Sequence, residues 1–366
     1  MKTEKLTIHD VNILPRLTYR RMGLNGGDFQ DELAVAGSLP KKPVPPPSDD
    51  YVIKDSAAFT SQVAVPSGIG DQFVAHVRSS ANAGFFIGVK PHVRVTDPII
   101  IPYVVDSSSP AIVDDTVLVA GEGSNVTLVQ TIHSAGTPAA ARYYAGSTRV
   151  VAHPHSHVTI VQVQLLDDQA VSFIDCGVHA EEGATVKVVH VLIGGRRMFG
   201  GSKAFLAGDD ASYELGTMFL GDNERVSEMN YMATHQGKRT HSDLVGRGAL
   251  LDKAVKTFKG TIDFLPGAVG SKGAEEEFSL MFSPQVRNKS VPLILCGEED
   301  VEGAHAVSTG RIDVDSLFYL MSRGLDETTA RKLLVEAQFE PIIAMIPDEN
   351  IRDEVSTVIA TRLAAQ

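Results

Sequence analysis

The chain has 366 residues, a formal net charge of −12, 6% aromatic residues, no tryptophan, 32 glycines and 18 prolines. The acidity excludes a protein held to nucleic acid or to an anionic membrane surface by its charge, and the length allows a large core or two domains. The two cysteines, Cys176 and Cys296, form no C-x-x-C pair, which excludes a thiol-rich metal site legible in the sequence and fits a reducing compartment.

No apolar run reaches the ~18 residues of a membrane span. The first residues, MKTEKLTIHDVNILPRLTYRR, carry too many charges for a signal peptide. The expected location is the cytoplasm. Residues 1–51 read as an irregular, partly helical segment ending in a stiff linker, because prolines 43 and 45–47 fix φ and restrict the residues before them.

Residues 52–306 read as a β core. Short β-branched runs recur between glycines and aspartates, with no helical period among them. Ser124-Asn125-Val126-Thr127 is echoed by Ser156-His157-Val158-Thr159, Gly183-Ala184-Thr185-Val186 and Asp210-Ala211-Ser212-Tyr213. On this alignment Val126, Val158, Thr185 and Ser212 correspond. Strand-sized units at such spacing fit a solenoid of stacked coils, and they also fit a sandwich. His153, His155 and His157 form H-x-H-x-H, which on a strand would place three imidazoles on one face; Pro154 interrupts the strand and no carboxylate or thiol is woven in, so the string reads as surface histidines. Cys176 and Cys296, each in an apolar run, read as core residues.

Residues 307–366 read as a helical domain. Asp313 can cap a helix over about 314–323, with Leu317, Leu320 and Met321 forming an apolar stripe and Gly324 at the left-handed C′ position. A second helix follows Asp326, turns Leu333, Leu334 and Ala337 inward, and breaks or restarts at Pro341. A third, capped by Pro347-Asp348, has Ile351, Val355, Val358, Ile359 and Leu363 on its apolar face. These helices could seal the open end of a solenoid. The chain from Cys296 onward holds 14 Asp/Glu against 6 Lys/Arg, a net of −8 that reads as a solvated helical surface.

Upstream of the first helix, Glu298 to Ala304 reads as a loop leading to His305. Taken alone, His305 is either a neutral imidazole ligand or a histidine satisfied by backbone at a domain junction. The string Asp300-Val301-x-x-x-His305, Gly310-Arg311-Ile312-Asp313 and Leu317-Phe318-Tyr319-Leu320-x-x-Arg323-Gly324 resembles the signature of the SufB/SufD family of iron–sulfur cluster assembly scaffolds. The resemblance is strongest over about residues 243–363 and faint before residue 52. It implies a mainly β fold, a right-handed parallel β-helix with a small C-terminal α-helical domain. It also implies a non-catalytic scaffold subunit that pairs with a SufB-type subunit, or with a second copy of itself, and docks a SufC-type ABC ATPase on Leu317, Phe318, Tyr319, Arg323 and Gly324.

By the same resemblance His305 is the motif histidine near a subunit interface where a transient iron or iron–sulfur cluster forms, with no stably bound cofactor. Cys296 is a weaker second metal candidate by its proximity. Gly303 stands where SufD-type chains often have cysteine, and Ala306 stands where SufB-type chains have glutamate, so the SufD type fits better. Gly195 to Lys203 (GRRMFGGSK) inverts the phosphate-loop order, and neither a nucleophile elbow nor a dinucleotide fingerprint is present. The rival from another class is a β-helical carbohydrate-active enzyme.

Overall fold

The computed structural model describes residues 2–16, 22–40, 43–56, 64–139, 141–311 and 314–364. Its body is a parallel β-solenoid whose coils each contribute one strand to each of two sheets. One sheet runs through β4 (Phe86–Val89), β6 (Ala111–Ala120), β8 (Tyr143–Ala152), β10 (Val171–Ala180), β12 (Arg197–Leu206), β14 (Val226–His235), β16 (Val255–Phe264) and β18 (Arg287–Cys296). The other runs through β5 (Ile99–Val105), β7 (Asn125–Ser134), β9 (His157–Leu165), β11 (Thr185–Ile193), β13 (Ser212–Gly221), β15 (His241–Leu250), β17 (Ser271–Met281) and β19 (Val301–Arg311). Alternate residues point into the lumen, where Val126, Val158, Val186 and Tyr213 stack in register. The repeat read from sequence therefore slips by one residue at Thr185 and Ser212, which lie on the opposite face of their strands.

One corner of the stack is a backbone ladder. His92, Gly123, His155, Gly183, Asp210, Arg239 and Gly270 all take positive φ. Each donates its N–H to a carbonyl on the next coil, to Glu122, Pro154, Glu182, Asp209, Lys238, Val269 and Asp300 in turn. Gly183 is required here, because a Cβ would sit 2.4 Å from Nδ1 of His155.

Both outer faces carry added layers. The N-terminal segment is an antiparallel hairpin of β1 (Thr3–Val11) and β2 (Gly27–Ala34), not the irregular or helical segment expected. Leu6, Ile8, Phe29 and Leu33 carry its period of two, while charges fill the solvent side. With α1 (Asp71–Ser80), a helix the sequence reading did not anticipate, the hairpin packs on Val113, Tyr143, Phe173 and Phe199 of the first sheet. Between hairpin and helix, Gly68 and Ile69 cross this sheet and donate their N–H groups to the buried Asp175 carboxylate at 2.8 and 3.2 Å.

The C-terminal helices are α2 (Val314–Ser322), α3 (Glu327–Ile343) and α4 (Glu349–Ala364). The proposed Asp313 cap lies outside the described residues. Gly324 does adopt positive φ, 98°, just past α2. Pro341 does not break α3; it lies inside the helix. The inward face of α3 is Val335, Phe339, Ile342 and Ile343, whereas Leu333 and Ala337 are exposed. The α4 face is as read, with Ile351, Val355, Ile359 and Leu363 buried.

These helices do not seal the solenoid's end. Helices α3 and α4 lie along the second sheet, on Val129, Val161, Val163, Val189, Val191 and Met218, and α2 packs next to α3. The two ends consequently differ. At the N-terminal end β3 (Tyr51–Lys54) pairs antiparallel with β4, and Leu39, from the segment ahead of the prolines, packs against the first coils. At the C-terminal end β18 and β19 are the outermost strands of their sheets.

Candidate functional site

The terminal coil is where the candidate metal residues fall. His305 sits inside β19, not in a loop, because strand pairing with β17 begins at Val301. It stands beside Glu275 in register, and Glu275, Glu277 and Ser279 are the buried, lumen-facing residues of β17. His305 therefore turns to the lumen, yet it is exposed because no further coil covers it.

Contacts across the lumen fix what it faces. Asn288 donates from Nδ2 to Oγ1 of Thr309 at 3.0 Å, and Gly303 lies against Ile294, so the intervening His305 faces Pro292. Cys296 is exposed and free but lies toward the Val301 end, so the structure does not bring its thiol to His305. Gly303 is closely packed, since a Cβ there would meet Ile294 at 3.1 Å and Phe264 at 3.2 Å.

One coil below lies a polar group that the sequence reading missed. Lys256 and Glu277 form a fully buried ion pair, and the Lys256 ammonium also donates to Asn288 Oδ1 at 2.8 Å and Ser290 Oγ at 3.0 Å. Burial lowers the Lys256 pKa to about 8 against the pull of Glu277. Glu275 stays outside this network. Neither of its carboxyl oxygens has a hydrogen-bond partner, although the residue is only 3% exposed. Burial, reinforced by Glu277 and opposed by Lys256, raises its pKa to about 7. In the sequence Glu275-Glu276-Glu277 passes for a solvated acidic run; strand alternation is the signal that sends the first and third inward.

The other candidates sort differently. His153, His155 and His157 span a corner, so they share no face. His153 Nδ1 pairs with Glu181 at 3.1 Å, His155 is a ladder residue, and His157 opens β9 exposed. Among the described residues no three His, Cys, Asp or Glu side chains converge to hold a metal ion. Cys176 is fully buried and its thiol pKa is pushed well up by desolvation, as befits core. His235 is also structural, bonded to the hydroxyls of Thr240 and Ser242 at 2.8 Å each.

On α2 the stripe splits the helix. Leu317 and Leu320 are half-buried, while Phe318 is 70% and Tyr319 57% exposed. The Arg323 guanidinium lies 5.2 Å from the centre of the Tyr319 ring. This is a continuous aromatic and cationic surface at the helix end.

Residues 103–338 match the family model described as SUF system FeS cluster assembly, SufBD core domain. The chain belongs to the SufBD family. It is SufD-like: "Iron-sulfur cluster assembly protein SufD" of Bacillus subtilis is 26% identical over 283 residues, 77% of this chain and 64% of that protein. An iron-sulfur cluster assembly SufBD family protein of Mycobacterium tuberculosis (strain H37Rv) is 28% identical over 303 residues, 80% of this chain and 74% of the relative. One from Mycobacterium leprae is 24% identical over 280 residues, 76% of this chain and 32% of the relative. The SufBD chain thus spans less than two thirds of the first and last of these relatives. Among its described residues no helix is long and apolar enough to cross a membrane.

Proposed function

We propose that this SufD-like chain is a non-catalytic scaffold subunit of an iron–sulfur cluster assembly complex in the cytoplasm. It pairs through its terminal coil with a SufB-type subunit, docks a SufC-type ABC ATPase on α2, and holds its iron or cluster only transiently. The observation that carries the reading is the asymmetry of the solenoid's ends. At the N-terminal end β3 covers the first sheet and the segment of Leu39, Pro40 and Pro43 lies beside β5, whereas β18 and β19 present the outer ladder edges of their sheets, with His305 exposed beside them. An open edge is a template for another chain, and a ligand placed there reaches an ion shared between subunits. Phe318, Tyr319 and Arg323 supply the aromatic and arginine anchors typical of binding hot spots. Against a carbohydrate-active solenoid stand the family membership and the covering of both outer sheet faces by the hairpin, α1, α3 and α4.

Phosphate release tests the reading. The isolated chain is expected to hydrolyse no ATP and to raise the rate of the cognate ATPase in the presence of the SufB-type subunit. Hydrolysis by the chain alone, or no effect on the partner's rate, sinks it. Sedimentation of the chain with and without the SufB-type subunit separates a heterodimer from a pair of identical copies.

A further inference from the structure

We propose that Glu275 is a second iron-binding residue of the terminal coil, taking up a divalent ion together with His305 and leaving the remaining positions to the partner across the open end. The inference rests on the scaffold reading above. Glu275 and His305 occupy the same register on neighbouring parallel strands and the same lumen face. Such positions lie about 4.8 Å apart at the backbone, close enough for an imidazole nitrogen and a carboxylate oxygen each to reach one ion at about 2.0–2.2 Å.

Three further features set Glu275 apart from an ordinary buried acid. Both carboxyl oxygens are buried and unpartnered, a condition that costs free energy and gives the fold nothing in return. Lys256, the buried cation on the same lumen face, is committed to Glu277, Asn288 and Ser290, and Lys259 on the opposite face of that strand donates to the Asn12 carbonyl. Opposite stands Gly260, where a Cβ would come within 2.4 Å of Glu275 Oε1, so the small residue makes the space that the carboxyl fills. The last coil, with His305, is what lies between this carboxyl and the open end. An imidazole and a carboxylate are a donor set suited to ferrous iron and zinc rather than to a soft, sulfur-bound metal.

The test is anaerobic competition of ferrous iron, with zinc as a redox-inert check, against a chromophoric chelator. It uses the full chain alone and saturated with its SufB-type subunit, and every variant is also melted without metal. Glu275→Gln and His305→Ala are each expected to weaken binding at least about tenfold, with metal-free melting of Glu275→Gln equal to or above wild type. Glu276→Gln, on the outward face of the same strand, should bind as wild type. If His305→Ala loses the ion and Glu275→Gln keeps it, Glu275 is no ligand and the His305 reading stands. If both keep it, or if wild type binds none in either state, the proposed ion site falls altogether.

Discussion

Asp175 gives the sharpest quantitative expectation. Its carboxylate lies buried beneath the crossing segment, and desolvation, only partly offset by hydrogen bonding from Ser67, Ile69 and Gly68, raises its pKa from 3.8 to about 7. A carboxyl whose folded pKa is raised binds a proton more tightly when folded. Its contribution to stability is therefore fully present below pH 3.8 and is lost as pH rises through 7. At ~1.4 kcal/mol per pH unit the penalty is about 1.6 kcal/mol at pH 5 and about 4 kcal/mol at pH 8. Asp175→Asn keeps an oxygen acceptor for both N–H groups and removes the titration. Urea unfolding of both proteins at the two pH values should show the variant's advantage growing by about 2–3 kcal/mol between pH 5 and pH 8. The other raised carboxyls, such as Asp114 and Glu275, are common to both proteins and cancel in the difference. An advantage that stays constant within ~0.5 kcal/mol, or a variant less stable at pH 8, refutes the reasoning.

Four other outcomes follow from the packing. Replacing Phe318 and Tyr319 together by alanine should leave the melting temperature nearly unchanged, since both rings are exposed, and weaken ATPase binding by at least about 2 kcal/mol in calorimetry. Phe339→Ala should destabilise by about 3–5 kcal/mol in urea, because this ring is fully buried between α3 and the second sheet. Gly177→Ala places a Cβ 1.9 Å from the Pro66 carbonyl, so limited proteolysis should cut near residues 64–70 well before the solenoid is lost. Truncation after Gly310 uncovers Val129, Val161, Val189 and Met218, so light scattering should show aggregation instead of a surviving scaffold.

The family signature and the β-to-helix change of grammar were legible in the residues, because the motif around His305 and α2 is contiguous. The solenoid was legible only as a choice between solenoid and sandwich, since short alternating strands serve both. Its register was not, because Thr185 and Ser212 each stand one position ahead of the lumen residues Val186 and Tyr213, and nothing in the side chains marks which of the two faces inward. The H-x-H-x-H string was legible as surface histidines from the interruption at Pro154, although periodicity could not reveal the left-handed corner at its middle residue. The hairpin went unseen behind its charged outer face, and Pro341 reads as a breaker until the helix is seen to continue through it. Glu275 was invisible for a related reason: adjacent acids look solvated until the strand's two faces are assigned.

The difference between the two ends also limits how large an assembly can grow. A stack with two bare ends could add subunits head to tail and run on as a filament. Here β3 runs antiparallel to the strand it covers, so an incoming parallel edge finds no matching ladder on the first sheet; on the second, β5 is outermost, with Pro102 lacking an N–H and Leu39, Pro40 and Pro43 lying beside it. Edge-to-edge association through β18 and β19 uses up the bare end of each participant and leaves two covered ends facing outward. Such growth stops at a pair, and a chain lacking β3 should be the variant that forms fibres.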